Sequence, residues 1–208
     1  MSTLGVVHTV FSFLAILFGA LVVLLDKGTR WHRTWGHLYA VCMLGLAVSA
    51  LFIYRLTGTF GPFHIFAIVA LVTLSLGMGT VLLRRPRTNW MEAHATWMSW
   101  SYVGLLAAFA AESLTRFVMP LMATTLAERG LWGAFWGLVG IASFTVAGTG
   151  GWIIRRRLPR ALASAPEAMR RERVELRDVQ RRASGEPAGD QSLGDAHQHQ
   201  VPSQDLEP

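Results

Sequence analysis

The chain has a single cysteine, Cys42, among its 208 residues. One thiol excludes an intrachain disulfide framework and suggests no cysteine-based metal site, and its position inside an apolar run points to a small buried side chain. Charge is also scarce. Asp, Glu, Lys and Arg together make up 15% of the chain against 52% apolar residues, and the mean hydropathy is positive. A chain so poor in charge cannot solvate the outside of a soluble domain, so the composition places it among membrane proteins. No glycine-rich phosphate-binding loop and no nucleophile constellation occurs, so no motif names a substrate.

What the sequence has instead is apolar length. Five segments, near residues 4–25, 34–54, 63–83, 94–118 and 132–154, are each long enough to cross a bilayer. The first lacks a basic leader, and its apolar run of about twenty residues exceeds that of a signal peptide, so it is expected to be a retained span. Within hydrocarbon only helices and closed barrels satisfy their own backbone, and the short connections make successive helices antiparallel. The fold expected is all-α: a polytopic bundle of five transmembrane helices over residues 1–157.

The composition changes at Arg155. Residues 158–183 form a basic juxtamembrane segment in which Ser164, Pro166 and Glu167 have the order of a helix start. Residues 184–208 are rich in Gly, Pro, Gln, Ser and Asp without an aromatic residue, and disorder is expected there. His197 and His199 fall in this tail and are read as solvated.

Loop charge sets an expected orientation. Lys27, Arg30 and Arg33 follow the first span, Arg84, Arg85 and Arg87 the third, and Arg155, Arg156, Arg157 and Arg160 the fifth. The other surface carries only Arg55, Arg116 and Arg129. By the positive-inside rule the N-terminus is outside and the C-terminus cytoplasmic. The basic balance thus belongs to cytoplasmic loops, and no nucleic-acid partner is expected. Trp31, Trp35, Trp90, Trp97 and Trp132, near span ends, suit an aromatic belt.

The stretch from His94 to Arg116 carries the main polar signal. His94 and Glu112 are eighteen residues apart, which is five helical turns and roughly 27 Å, so they share one face near opposite membrane surfaces with Met98, Ser101, Leu105 and Ala108 between them. Arg116 lies one turn beyond Glu112, in the favourable order of acid before base. His8 with Asp26, and His37 with Arg55, show the same eighteen-residue spacing. Two layers are expected. The outer holds His8, His64, Glu112, Arg116 and Arg55, and the inner holds Asp26, His32, His37 and His94. Against this stands a plainer account, since polar residues collect at span ends and interfacial histidines cap helices and hold loops. Glu112 with Arg116 is the stronger lead, because ionisable residues in spans are costly and face the bundle interior.

These residues carry a resemblance. An early histidine, then LLDKGTRWHRTWGHLYAVCML, GPFHIFAIVAL and HATWMSWSYVGLLAAFAAES followed by TR, resembles the bacterial membrane proteins grouped as domain of unknown function 2306, over about residues 5–155. The resemblance implies a membrane helical bundle in a bacterial inner membrane, with His8, His32, His64 and His94 as the family's histidines. It names no activity.

Three readings of the polar layers follow. In the first, haem b is held between helices for electron transfer. His8 and His64 then serve an outer site, with Arg55 or Arg116 at the propionates, and His94 with His32 or His37 serves an inner one near Arg33 or Lys27. In the second, His8, His64 and Glu112 bind a transition metal or relay protons. In the third, the protein is a non-catalytic subunit that meets a membrane partner or another copy through Gly133 and Gly137, where small residues let helices approach. A small transporter lined by the same groups is the remaining reading.

Overall fold

The computed structural model of the chain describes residues 2–54, 58–86, 89–125 and 127–184. Among these residues every regular element is a helix: α1 (Thr3–Leu24), α2 (Arg30–Leu51), α3 (Pro62–Leu83), α4 (Trp90–Met122) and α5 (Glu128–Ser184). All five include a stretch long and apolar enough to cross a membrane. Arg55, placed in the outer layer by its spacing from His37, lies outside the described residues, as does the tail from 185 onward.

Local chemistry explains where the helices begin and end. Ser2 Oγ accepts the Gly5 N–H at 3.2 Å to open α1, and Thr29 Oγ1 accepts the His32 N–H at 3.3 Å to open α2. Pro62, the first residue of α3, needs no N–H partner there. At the end of α1 the Lys27 ammonium folds back onto the carbonyls of Val22, Val23 and Leu25 at 2.9, 2.7 and 3.1 Å. It thereby satisfies acceptors that the last turn leaves open. Burial pushes the Lys27 ammonium below its ordinary pKa, with the Asp26 carboxylate acting in the opposite direction.

The first four helices form a ring in chain order. α1 packs on α2, α2 on α3, α3 on α4, and α4 closes the ring on α1. Consequently α1 and α3 are diagonal. The axis is filled by Ala15, Tyr39, Cys42, Met43, Leu74 and Leu105, and Cys42 is a free, buried thiol. Two glycines let aromatic rings reach this core: a Cβ on Gly19 would stand 2.4 Å from the Tyr102 ring, and one on Gly45 would stand 2.8 Å from that of Phe11.

α5 adds Phe135, Val139 and Ala142 to a second cluster around Ala111 of α4, and Gly150 takes the Val103 side chain. Gly133 and Gly137 have nothing within 4 Å of an added Cβ, so among the described residues no neighbour packs onto them. Large apolar side chains face outward elsewhere, such as Phe13, Leu17, Phe117 and Phe144, which is the pattern of a bundle solvated by lipid. The lipid bilayer is the environment these spans imply.

The described residues divide between two units, the boundary falling between Met169 and Arg170. The helix α5 runs through Pro159 and Pro166 to Ser184. Ser164 therefore lies inside a helix instead of capping one, and its hydroxyl turns back to the Ala161 carbonyl at 3.2 Å. In the second unit Val174, Leu176 and Val179 are exposed.

Candidate functional site

At the end of the bundle that carries the N-terminus, α1, α2 and α4 bring His8, Ser49 and Glu112 together. Ser49 Oγ donates to the Leu46 carbonyl at 2.9 Å, which uses its only hydrogen. The contact between His8 Nδ1 and Ser49 Oγ at 3.2 Å is then an Nδ1–H donating to an oxygen. This network assigns the tautomer of a neutral His8: its proton is on Nδ1 and its lone pair on Nε2. Nε2 points to Glu112 Oε2 at 3.9 Å. That separation is too long for a direct hydrogen bond, and since Nε2 of the neutral ring and the carboxylate are both acceptors, only an added proton or a bridging water can join them. The other carboxylate oxygen, Oε1, accepts from the Arg116 guanidinium one turn along α4, as the order of acid and base suggested.

The surroundings grade from covered to open: the His8 side chain is 14% exposed, that of Glu112 32% and that of Arg116 60%. The trio borders a cavity of about 730 Å3, within the size range of small-molecule sites. Its walls are mostly apolar, from Ile53, Phe63, Met119, Trp132 and Phe135. A smaller cavity of about 70 Å3 starts from the same His8 and Glu112 and runs inward past Ser12.

His64 does not join them. Its Nδ1 accepts the Gly61 N–H at 3.2 Å, which places the proton of the neutral ring on Nε2. The ring is 3% exposed, held between Tyr54 and Phe60 with centroids 4.7 and 5.1 Å away. Its Nε2 is buried with no hydrogen-bond partner among the described residues. A bis-histidine site needs a lone pair on Nε2 of both rings, whereas His64 presents a hydrogen there and its helix stands diagonal to that of His8. Among the described residues no three His, Cys, Asp or Glu side chains converge so as to hold a metal ion.

At the opposite end, His94 Nδ1–H donates to the Gly77 carbonyl at 2.8 Å across α3 and α4, close packing that the bare Cα of Gly77 permits against Met98. His32 is half-buried with an unpartnered Nδ1 and lies near His94 and the Val22 carbonyl. His37 is exposed, and among the described residues it bonds within its own helix, at the Arg33 carbonyl 2.6 Å away.

A family model described as a predicted membrane protein, DUF2306, matches residues 5–155. The chain belongs to this family. The DUF2306 match includes His8, Ser49, Glu112 and Arg116 and ends just after the apolar part of α5, so the site described above lies wholly within the family's region. No curated protein and no solved structure is matched by the chain.

Between the two ends lies a polar contact that histidine spacing alone does not indicate. Tyr39 Oη and Ser101 Oγ are 3.1 Å apart at the bundle axis, 2% and 1% exposed. Beside them Tyr102 Oη donates to the Ile16 carbonyl at 3.3 Å. Ser101 is on the His94–Glu112 face of α4 read from the sequence, and Tyr39 lies within one of the resembling motifs. Ser49 and Ser12 carry no such signal, because a lone serine in an apolar run has no pattern around it.

Proposed function

We propose that this protein handles protons at one surface of the membrane, with His8 and Glu112 as the exchanging pair. The observation that carries the reading is the Ser49 hydroxyl, which holds the His8 proton on Nδ1 and so aims a basic Nε2 at a carboxylate 3.9 Å away beside a cavity. One added proton has two homes, on imidazole or on carboxylate. Arg116 draws the charge of Glu112 to the side facing away from His8. Of the readings open at the level of residues, proton relay by the His8 and Glu112 cluster is favoured over haem held by His8 and His64, since His64 spends its acceptor nitrogen on the Gly61 amide.

Groups that share a proton titrate as a pair and not singly. In the full chain reconstituted in lipid, the His8 ring nitrogens and the Glu112 carboxyl carbon, followed by solid-state NMR between about pH 4 and 9, are expected to respond with the same midpoints. Independent curves for the two groups would end this reading.

The orientation belongs to the same proposal. The distribution of loop cations supports an orientation with the His8 end outside and the Arg155–Arg160 end in the cytoplasm. A reporter fused after Arg160 is expected to be active only in its cytoplasmic form, and a signal from the other compartment reverses the assignment.

A further inference from the structure

From the smaller cavity we infer a hydrated proton well that leads from His8 and Glu112 into the bundle axis and is stopped by Met43 and Leu105. The inference rests on the proton-exchange reading and adds the route and the ligand, which is water or hydronium. Three features carry it.

The first is size. The space measures about 70 Å3, and a water needs only about 10–15 Å3 of such volume, so more than one fits. The second is chemistry. Dry cavities are apolar throughout, whereas water stays where it finds two or more polar partners. Here His8, Ser12 and Glu112 border the same small space, and Ser12 is one turn below His8 on the same face of α1. Phe63, Phe66, Phe109 and Leu46 form large apolar parts of the wall, and the small side chains of Ala47, Ala67 and Ala108 with the bare Cα of Gly104 leave the room between them. The third is where the space ends. Met43 and Leu105 border it and belong to the buried core. Each is four residues, about one turn, from a member of the Tyr39–Ser101 hydroxyl pair. A water file standing on Met43 and Leu105 is therefore one helical turn from the next hydrogen-bonding group, with an apolar plug between.

The proton well holds charge without passing it across the membrane. Protons enter at Glu112 and His8, move along waters to Ser12, and return by the same route while Met43 and Leu105 stay packed.

The test is water-edited solid-state NMR on the full chain in lipid with labelled alanine. Transfer from water to Ala47, Ala67 and Ala108 is expected to be several-fold faster than to Ala15 and Ala111, which are 0% exposed in the two cores. Ser12→Ala removes the inner polar partner without adding volume, and should slow transfer to Ala67 and Ala108 towards the rate at Ala15. If Ala67 and Ala108 in the native chain are as slow as Ala15 while His8 and Glu112 still titrate together, the well is overturned and the exchange site stands. If they are fast but unchanged by Ser12→Ala, the file anchored on Ser12 is wrong. Independent titration of His8 and Glu112 with fast alanines would remove the exchange reading instead.

Discussion

Replacing Gly19 by alanine is expected to destabilise the bundle by about 1–3 kcal/mol, the usual cost of overpacking a filled core. The added Cβ would lie 2.4 Å from two ring carbons of Tyr102 and 3.0 Å from Tyr39. Neither ring can yield easily. Tyr102 is held by its hydroxyl on the Ile16 carbonyl, and Tyr39 by Ser101, so the backbones of α1 and α4 must part. Gly137→Ala supplies the control, because its Cβ meets nothing within 4 Å. Thermal unfolding in detergent should show a clear loss for Gly19→Ala and none for Gly137→Ala. Equal stability of both variants would mean that α1 does not approach Tyr102 as described.

Changing Glu112 to glutamine should abolish the shared titration of His8 while leaving the protein folded. An exposed pair one turn apart contributes only about 0.3–0.5 kcal/mol, so the loss of the Arg116 contact is a minor structural matter. The chemical loss is larger, because glutamine keeps the shape of the carboxylate but cannot take a proton, so no partner is left to share one with His8. Ser49→Ala tests the other side of the ring. Without the acceptor on Nδ1, neutral His8 is expected to populate both tautomers, which its two nitrogen shifts report separately. A native-like single tautomer in Ser49→Ala would show that Ser49 does not orient the ring.

The helices were legible in the sequence because hydrocarbon imposes one rule, that every backbone group be satisfied within its own segment. The apolar runs therefore mark the spans directly, and the Glu112–Arg116 contact follows from helical geometry alone. Ser164 misled for a related reason. Its order with Pro166 and Glu167 resembles a helix start, but a helix already under way can absorb both prolines, and the serine then bonds its own preceding turn.

The candidate site was legible only in part. Spacing put His8 and His64 in one layer with Glu112, yet depth in a membrane does not say which helices are neighbours. The ring order makes α1 and α4 adjacent and leaves α1 and α3 diagonal, so Glu112 meets His8 and His64 turns to the loop before its own helix. Which nitrogen of each ring bears the proton depends on Ser49 in one case and Gly61 in the other; the Ser49 contact spans 41 residues and leaves no trace in one-dimensional order, whereas Gly61 and His64 are the two ends of the GPFH motif.

The helices pair most closely as two hairpins, α1 with α2 and α3 with α4, and His8 and Glu112 sit on opposite sides of the seam between them. Halfway along, Tyr39–Ser101 and Tyr102–Ile16 stitch that seam with hydrogen bonds and so form a pivot. Glu112 lies eleven residues from Ser101 along α4, a lever arm of roughly 16 Å, on which a tilt of about four degrees shifts the tip by about 1 Å. This is the amount by which the 3.9 Å gap between His8 and Glu112 exceeds a hydrogen bond. The separation of the acid–base pair is thus geometrically sensitive to the angle between the two hairpins: with one proton between them, a tilt of a few degrees would be enough to make or break their hydrogen bond.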